Sequence, residues 1–327
     1  MKQKSKKIKI LLIVGMLLLT TGCTQILKDN EKKSVVNPAT GQSLTSNILC
    51  QPLDENTRKL YTDNGVNIEE LPKCTDFKLN SGKYEGIWTT IFVKPLAWLL
   101  LAVGNLVIKY GLAVMLVCLL IRLIMYPFTK KTAMQSELIK QAQPELMKIE
   151  AKYANANSND ANVMMKKSQE MTMVYKKYKI NPMSSCLFAF IQLPLFIAFL
   201  EAINRVPAIF EENFLWMQMG TTPWIGFSKG MPIAYIVLVL AIGATTYYSF
   251  KMTTADAGAN PAAPGMKHMP LIMTAMIILT GLFMPSALGL YWITSNVFTI
   301  FQNILVKRSK KLNEKEQVYI KKQRRSN

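Results

Sequence analysis

Residues 111–128 read GLAVMLVCLLIRLIMYPF, eighteen residues with one charge, Arg122. At 1.5 Å per residue a helix of that length rises about 27 Å, close to the roughly 30 Å of a bilayer's hydrocarbon core. The stretch is therefore a candidate membrane span, and Arg122 is its anomaly. An arginine at mid-bilayer costs about 2.5–3.5 kcal/mol on insertion scales. Arg122 either faces a cavity or partner group, or snorkels towards the boundary six residues on at Phe128.

Four more apolar runs follow at 183–203, 232–251, 269–283 and 286–306. The run at 269–283 is short for a crossing, and the last two form a tight hairpin through Pro285. Basic residues set the orientation: ten lie in 129–180 and nine in the tail 307–327, against two in 204–230. The positive-inside rule places the first two segments in the cytoplasm and the N-terminus outside. Gln192, Ser295 and Asn296 are polar groups within spans, where unsatisfied hydrogen-bonding groups are costly, so they line a wet space or bond between helices. Trp292 and Tyr291 suit either core packing or a groove wall.

Upstream, Trp88 to Ile108 is apolar but interrupted by Lys94 and Pro95. Two full spans turn round with difficulty across Lys109-Tyr110-Gly111. Residues 84–109 are therefore read as an interfacial amphipathic helix feeding the first true span, with an extra span as the alternative. Downstream, 129–180 reads as a helical hairpin turning at 154–160. Leu138, Ala142, Leu146, Ile149 and Tyr153 form one stripe and Met164, Ser168, Met171, Tyr175 and Tyr178 the other. The fold class is an all-α membrane protein: a five-span helical core at 110–306 with an interfacial amphipathic helix and a cytoplasmic helical hairpin.

The first nine residues hold five lysines, Ile10 to Leu19 is apolar, and Thr-Thr-Gly leads to Cys23. This is a signal peptide over 1–22 with a lipobox-like end, and Cys23 is the expected lipidation site of a lipoprotein whose first mature residue it becomes. An uncleaved signal anchor is the alternative, against which the short apolar core argues. Residues 23–83 then form an exported, lipid-anchored linker or very small module to which no function is assigned. Cys50 and Cys74 share the oxidising side, where they pair or stay free. Cys118 and Cys186 sit in apolar runs as small fillers.

Half of the 327 residues are apolar, yet 39 Lys and Arg face 20 Asp and Glu, a net charge of +19. A basic membrane protein satisfies both facts, whereas a nucleic-acid-binding module needs a mostly polar folded domain. No nucleophile–base pair, metal-ligand spacing or phosphate loop occurs, and the single His268 lies beside Lys267 at an apolar boundary. The chain is read as no enzyme, with no cofactor, no metal and no small-molecule substrate. Inverted repeats or paired intramembrane charges would favour a transporter or channel subunit, and neither is present. A lipoprotein assembly scaffold would not need a lone intramembrane arginine.

Several motifs in order give the chain a family likeness. Tyr110-Gly111-Leu112-Ala113, Ile121-Arg122-Leu123-Ile124 and Pro127 resemble the first core span of the YidC-family insertases of the lipoprotein type. Asn181-Pro182, Cys186, Gln192 and Pro194 resemble their second span, and Leu290-Tyr291-Trp292 with Ser295-Asn296 their last. Members often carry Gly and Pro where this chain has Ser185 and Phe188, Gly in place of Ala287, and glutamines in place of Ser249 and Phe250. The resemblance implies five helices around a polar groove open to cytoplasm and lipid but closed outside, with Arg122, Gln192, Trp292, Ser295 and Asn296 in it. It also implies a membrane insertase and chaperone in the bacterial plasma membrane. Its partners are nascent membrane proteins and membrane lipids, together with the ribosome and the general secretion channel.

Overall fold

The computed structural model describes residues 24–154, 160–181, 183–228, 232–256 and 268–326. The expected signal 1–22, the expected lipidation site Cys23 and residues 155–159 of the expected hairpin turn lie outside the described residues, as do the side chains of Ser185, Cys186 and Phe188. The chain is predominantly helical and clusters into two units. One comprises Met1–Cys118, Leu193–Leu240 and Leu279–Trp292; the other comprises Leu119–Gln192, Ala241–Ile278 and Ile293–Asn327.

Residues 24–83 fold. Bridges pair Ile26 with Thr45, Lys28 with Ser34 and Val36 with Ser43. Helix α1 (Glu55–Asp63) starts where the Asp54 carboxylate accepts from the Thr57 N–H at 2.8 Å, satisfying a donor that the first turn leaves unpaired. Its Tyr61 joins Leu27, Val35, Leu44, Ile48 and Ile68 in a core. Six side chains are few for a segment of this size. A Cys50–Cys74 disulfide, spanning 24 positions, adds roughly 3 kcal/mol by restricting the unfolded chain.

The second restraint on the module is docking. Arg205, the last residue of the helix Met183–Arg205, is fully buried; its Nε donates to the Asn47 carbonyl at 2.7 Å and its guanidinium pairs with Glu85 at 2.5 Å. Glu201 lies 3.8 Å from the same guanidinium and accepts from the Trp88 indole at 2.8 Å. Nearby, Glu211 accepts the Leu53 and Asp54 N–H groups at 2.8 and 3.4 Å. Burial outweighs those bonds and pushes the Glu211 carboxyl up to about 7 from 4.5. The folded form thus holds the proton more tightly than the unfolded chain. The resulting stabilisation is fully present below pH 4.5 and lost as pH rises through about 7. Thermal unfolding should show a higher midpoint at pH 5 than at pH 8, with a smaller gain in Glu211→Gln; equal gains would exclude Glu211 as the source.

A π-helical turn, Thr89–Val93, leads into α2 (Lys94–Val107). Lys94 and Pro95 do not interrupt it. Proline in the first turn removes a donor that has no intrahelical acceptor, and the buried Lys94 ammonium donates to the carbonyls of Ser81 (2.6 Å) and Lys83 (3.1 Å). Thr89–Val107 has 19 residues and by length and composition is itself able to cross a membrane. Only Ile108 and Lys109 separate it from the next helix, which begins at Tyr110. Ile108 takes a left-handed φ of 59°, and the Tyr110 ring fills the space beside Gly104, where any Cβ would collide.

Helix α3 (Tyr110–Tyr153) runs unbroken for 44 residues, about 66 Å, so the apolar span and the first hairpin arm are one helix. It buries Ala113, Val114, Val117, Cys118 and Arg122 while exposing Leu112, Leu116, Leu120, Leu123 and Ile124. An exposed face this apolar suits lipid rather than water. Pro127 removes the bond to the Leu123 carbonyl, and the Thr129 hydroxyl lies 3.3 and 3.2 Å from the Met125 and Tyr126 carbonyls of the preceding turn.

Helix α4 (Ala161–Lys177) completes the hairpin. Ile139, Ala142, Leu146, Val174 and Ile180 form its buried centre, flanked by Leu138, Ile149, Met171, Tyr175 and Tyr178. Met164 and Ser168, expected on the contact face, are exposed. The register is held instead by two matching clasps. Lys177 and Tyr178 both donate to Glu145 (2.6 and 2.8 Å), while Lys152 and Tyr153 donate to Glu170 (2.6 and 2.9 Å). These bonds hold both glutamates below the usual carboxylate range.

Then come α5 (Met183–Arg205), α6 (Pro207–Phe210), a two-stranded hairpin of β1 (Asn213–Phe214) and β2 (Met217–Gln218), and α7 (Pro223–Gly226). Three helices follow: α8 (Pro232–Asp256), α9 (Met269–Leu282) and α10 (Ser286–Ser326). Among the described residues Thr89–Val107, Tyr110–Ile139 and Ile233–Thr253 are long and apolar enough to cross a membrane. With 14 residues, α9 rises about 21 Å, short of a full hydrocarbon core.

Candidate functional site

In the second unit, polar side chains from three apolar helices meet in a ladder. Arg122 on α3 donates to the Ser295 hydroxyl on α10, and Thr129, seven residues on, donates to Gln302 at 2.8 Å, also seven residues on. Asn296 donates to Thr246 of α8 at 2.9 Å, and Asn303 to Thr253 at 3.5 Å, again after steps of seven. Seven residues are close to two helical turns, so each set stays on one stripe. Both numbers of each pair rise together, so α3, α8 and α10 run in the same direction.

Arg122 is buried, its Nε makes no hydrogen bond to protein, and among the described residues no carboxylate pairs with it. Interhelical bonds within membranes average about 0.6 kcal/mol and reach about 1.7. A single bond to Ser295 therefore falls short of the insertion cost of the charge, about 2.5–3.5 kcal/mol. Packing alone does not account for this residue. A hydrated or anionic neighbour would.

The five groove candidates do not all meet. Arg122 and Ser295 touch directly, and Asn296 turns to Thr246. Trp292 belongs to the first unit, where it stacks on Phe196 at 5.3 Å, while Tyr291 packs against Phe199 at 4.4 Å as buried core. Gln192 is half-buried on α5. Thr129, Gln302, Thr246, Thr253 and Asn303 escaped the sequence reading; the seven-residue steps from Arg122, Ser295 and Asn296 were the signal for three of them. Ser249 is buried, and its carbonyl accepts from Thr253 at 2.8 Å.

Residues 102–315 match the family model described as the 60Kd inner membrane protein. The chain is 35% identical over 229 residues to a membrane protein insertase YidC of Oceanobacillus iheyensis, covering 68% of this chain and 85% of that one. It is 35% identical over 227 residues to YidC 2 of Bacillus anthracis (69% and 83%) and 34% identical over 221 residues to the membrane protein insertase MisCA of Bacillus subtilis (67% and 79%). A solved structure of an active YidC insertase with its first transmembrane domain resolved aligns at 20% identity with a TM-score of 0.45, over 75% of this chain and about half (51%) of that one. From a span with one buried arginine to matches over two thirds of its length, the chain belongs to the 60Kd inner membrane protein family, that of the YidC insertases.

Proposed function

We propose that this protein is a membrane protein insertase and chaperone of the bacterial plasma membrane, and that it makes and breaks no bond. The observation that carries this is Arg122: a buried charge with no counter-ion among the described residues, amid hydroxyls and amides, within an apolar span. Such a place suits the hydrophilic flank of a nascent membrane protein while its apolar segment leaves sideways into lipid. Water and polar side chains there lower the barrier to moving a short acidic or polar stretch. The short α9 supports a thinned apolar path on the same reasoning. Arg122, Gln192, Trp292, Ser295 and Asn296 are the proposed groove residues.

The common direction of α3, α8 and α10 supports five crossings, since one intervening span must then separate each from the next. The basic hairpin 129–180 and tail 307–327 support a cytoplasmic placement of both, with 204–230 and the N-terminal module outside. Residues 84–109 are proposed to lie at the interface. Hairpin and tail offer charge for ribosomal RNA, anionic lipid or the general secretion channel. Proteoliposomes containing the purified protein should insert a short-tailed substrate that empty liposomes do not, and equal insertion would refute the function.

Lipid anchoring at Cys23 is proposed from the lysine-rich start and Thr-Thr-Gly-Cys. Mass spectrometry of the mature protein should find a chain beginning at an acylated Cys23, and Cys23→Ser should keep the uncut signal. An intact chain with unmodified Cys23 would end the lipoprotein reading and leave the insertase reading standing.

A further inference from the structure

Among the described residues five non-glycine residues adopt a left-handed φ, and three of them are large, apolar and exposed: Ile108 (φ 59°, 83% exposed), Leu215 (47°, 53%) and Trp216 (63°, 78%). Two successive left-handed residues form the tip of the β1–β2 hairpin, a geometry that favours Asn-Gly. Leu-Trp breaks that local rule, and breaks it with the side chains that water tolerates least. The two turns are neighbours. Glu212 accepts the Gly111 N–H at 2.7 Å, and the Phe214 ring fills the space over Gly111, so the hairpin rests on the α2–α3 corner three residues from Ile108. Each turn stands beside the start of a span, at headgroup depth if 111–128 crosses the bilayer. Without a left-handed turn, exposed apolar rings also meet at the end of α9, where Trp224 and Phe283 pack at 5.7 Å.

We infer that the Leu215-Trp216 tip, with Ile108 beside it, is a lipid-binding wedge seated among the phospholipids of the outer leaflet. The strained turn holds two bulky apolar side chains outward, where the bilayer interface removes them from water; tryptophan prefers that level. Such an anchor would fix the depth of the α2–α3 corner and of the module docked behind it. The inference rests on the membrane placement above, which resistance to alkaline carbonate extraction tests independently of Trp216.

The test is fluorescence of the full-length protein in phosphatidylcholine vesicles with or without bromines on the upper acyl carbons. The emission difference between wild type and Trp216→Phe should be strongly quenched by the lipid bromines and protected from aqueous iodide. Quenching by iodide without quenching by bromolipid, in protein that resists carbonate, would overturn the wedge and mark the tip as a water-facing or protein-docking surface. Should Trp216→Phe fail to fold, the double variant Leu215→Asn with Trp216→Gly serves as reference. Its residues suit the turn, so its unfolding midpoint in detergent should equal or exceed that of wild type.

Discussion

Replacing Arg122 with alanine should abolish insertion of substrates whose translocated flank is acidic while leaving the protein folded and at normal levels. A carboxylate about 4 Å from the guanidinium gains about 4 kcal/mol at an effective dielectric of about 20. Losing half of that in the barrier slows insertion more than tenfold, at about 1.4 kcal/mol per decade. Stability should change little, because the variant removes a charge that its one bond to Ser295 does not compensate. Arg122→Lys keeps the charge but not the planar fork, and should retain a good part of the activity. A snorkelling arginine predicts tolerance of alanine, but the buried side chain bonded to α10 is not extended to a surface. Insertion measured for the three proteins at matched membrane levels separates these cases: normal activity in the alanine variant would eliminate the groove-charge mechanism.

The largest expected loss of stability comes from Arg205→Ala. That substitution leaves the nearly inaccessible Glu201 and the partly buried Glu85 without their cation and frees the Asn47 carbonyl that Arg205 Nε satisfies. Breaking a buried ion pair from one side costs about 3–5 kcal/mol, because the remaining charge stays desolvated. The module should release from the end of α5 while its disulfide persists, visible as rapid proteolysis within 24–83 and a lowered unfolding midpoint. Combining Arg205→Met with Glu201→Gln and Glu85→Gln should recover part of the loss, since no unpaired charge remains. If Arg205→Ala unfolds and is cleaved like wild type, the cluster is not what holds the module.

Much of this molecule is legible along the chain because spanning a bilayer is a local, one-dimensional requirement. The run 183–203 became α5 (Met183–Arg205), 232–251 lies in α8 (Pro232–Asp256), and 269–283 nearly coincides with α9 (Met269–Leu282). Arg122 stood out for the same reason, as one charge among apolar neighbours. Partners were not legible. Arg205 was only a charge to be counted between spans, yet its contacts come from residues 47, 85 and 201. Likewise Val174 rather than Met164 lies at the hairpin's centre, because clasps between distant Lys-Tyr pairs and glutamates set the rotation of α4.

The sequence by itself determined where helices lie, which are apolar enough for lipid, and which polar residues within them need explaining, since hydropathy and period depend only on neighbours in the chain. Only the tertiary structure decided that Arg122 meets Ser295 and Thr129 meets Gln302, each pair 173 residues apart, and that Asn296 and Asn303 meet Thr246 and Thr253. A helical stripe says which groups share a face. The depth and rotation at which two helices pack decide which groups touch, and those are settled by contacts far apart in sequence.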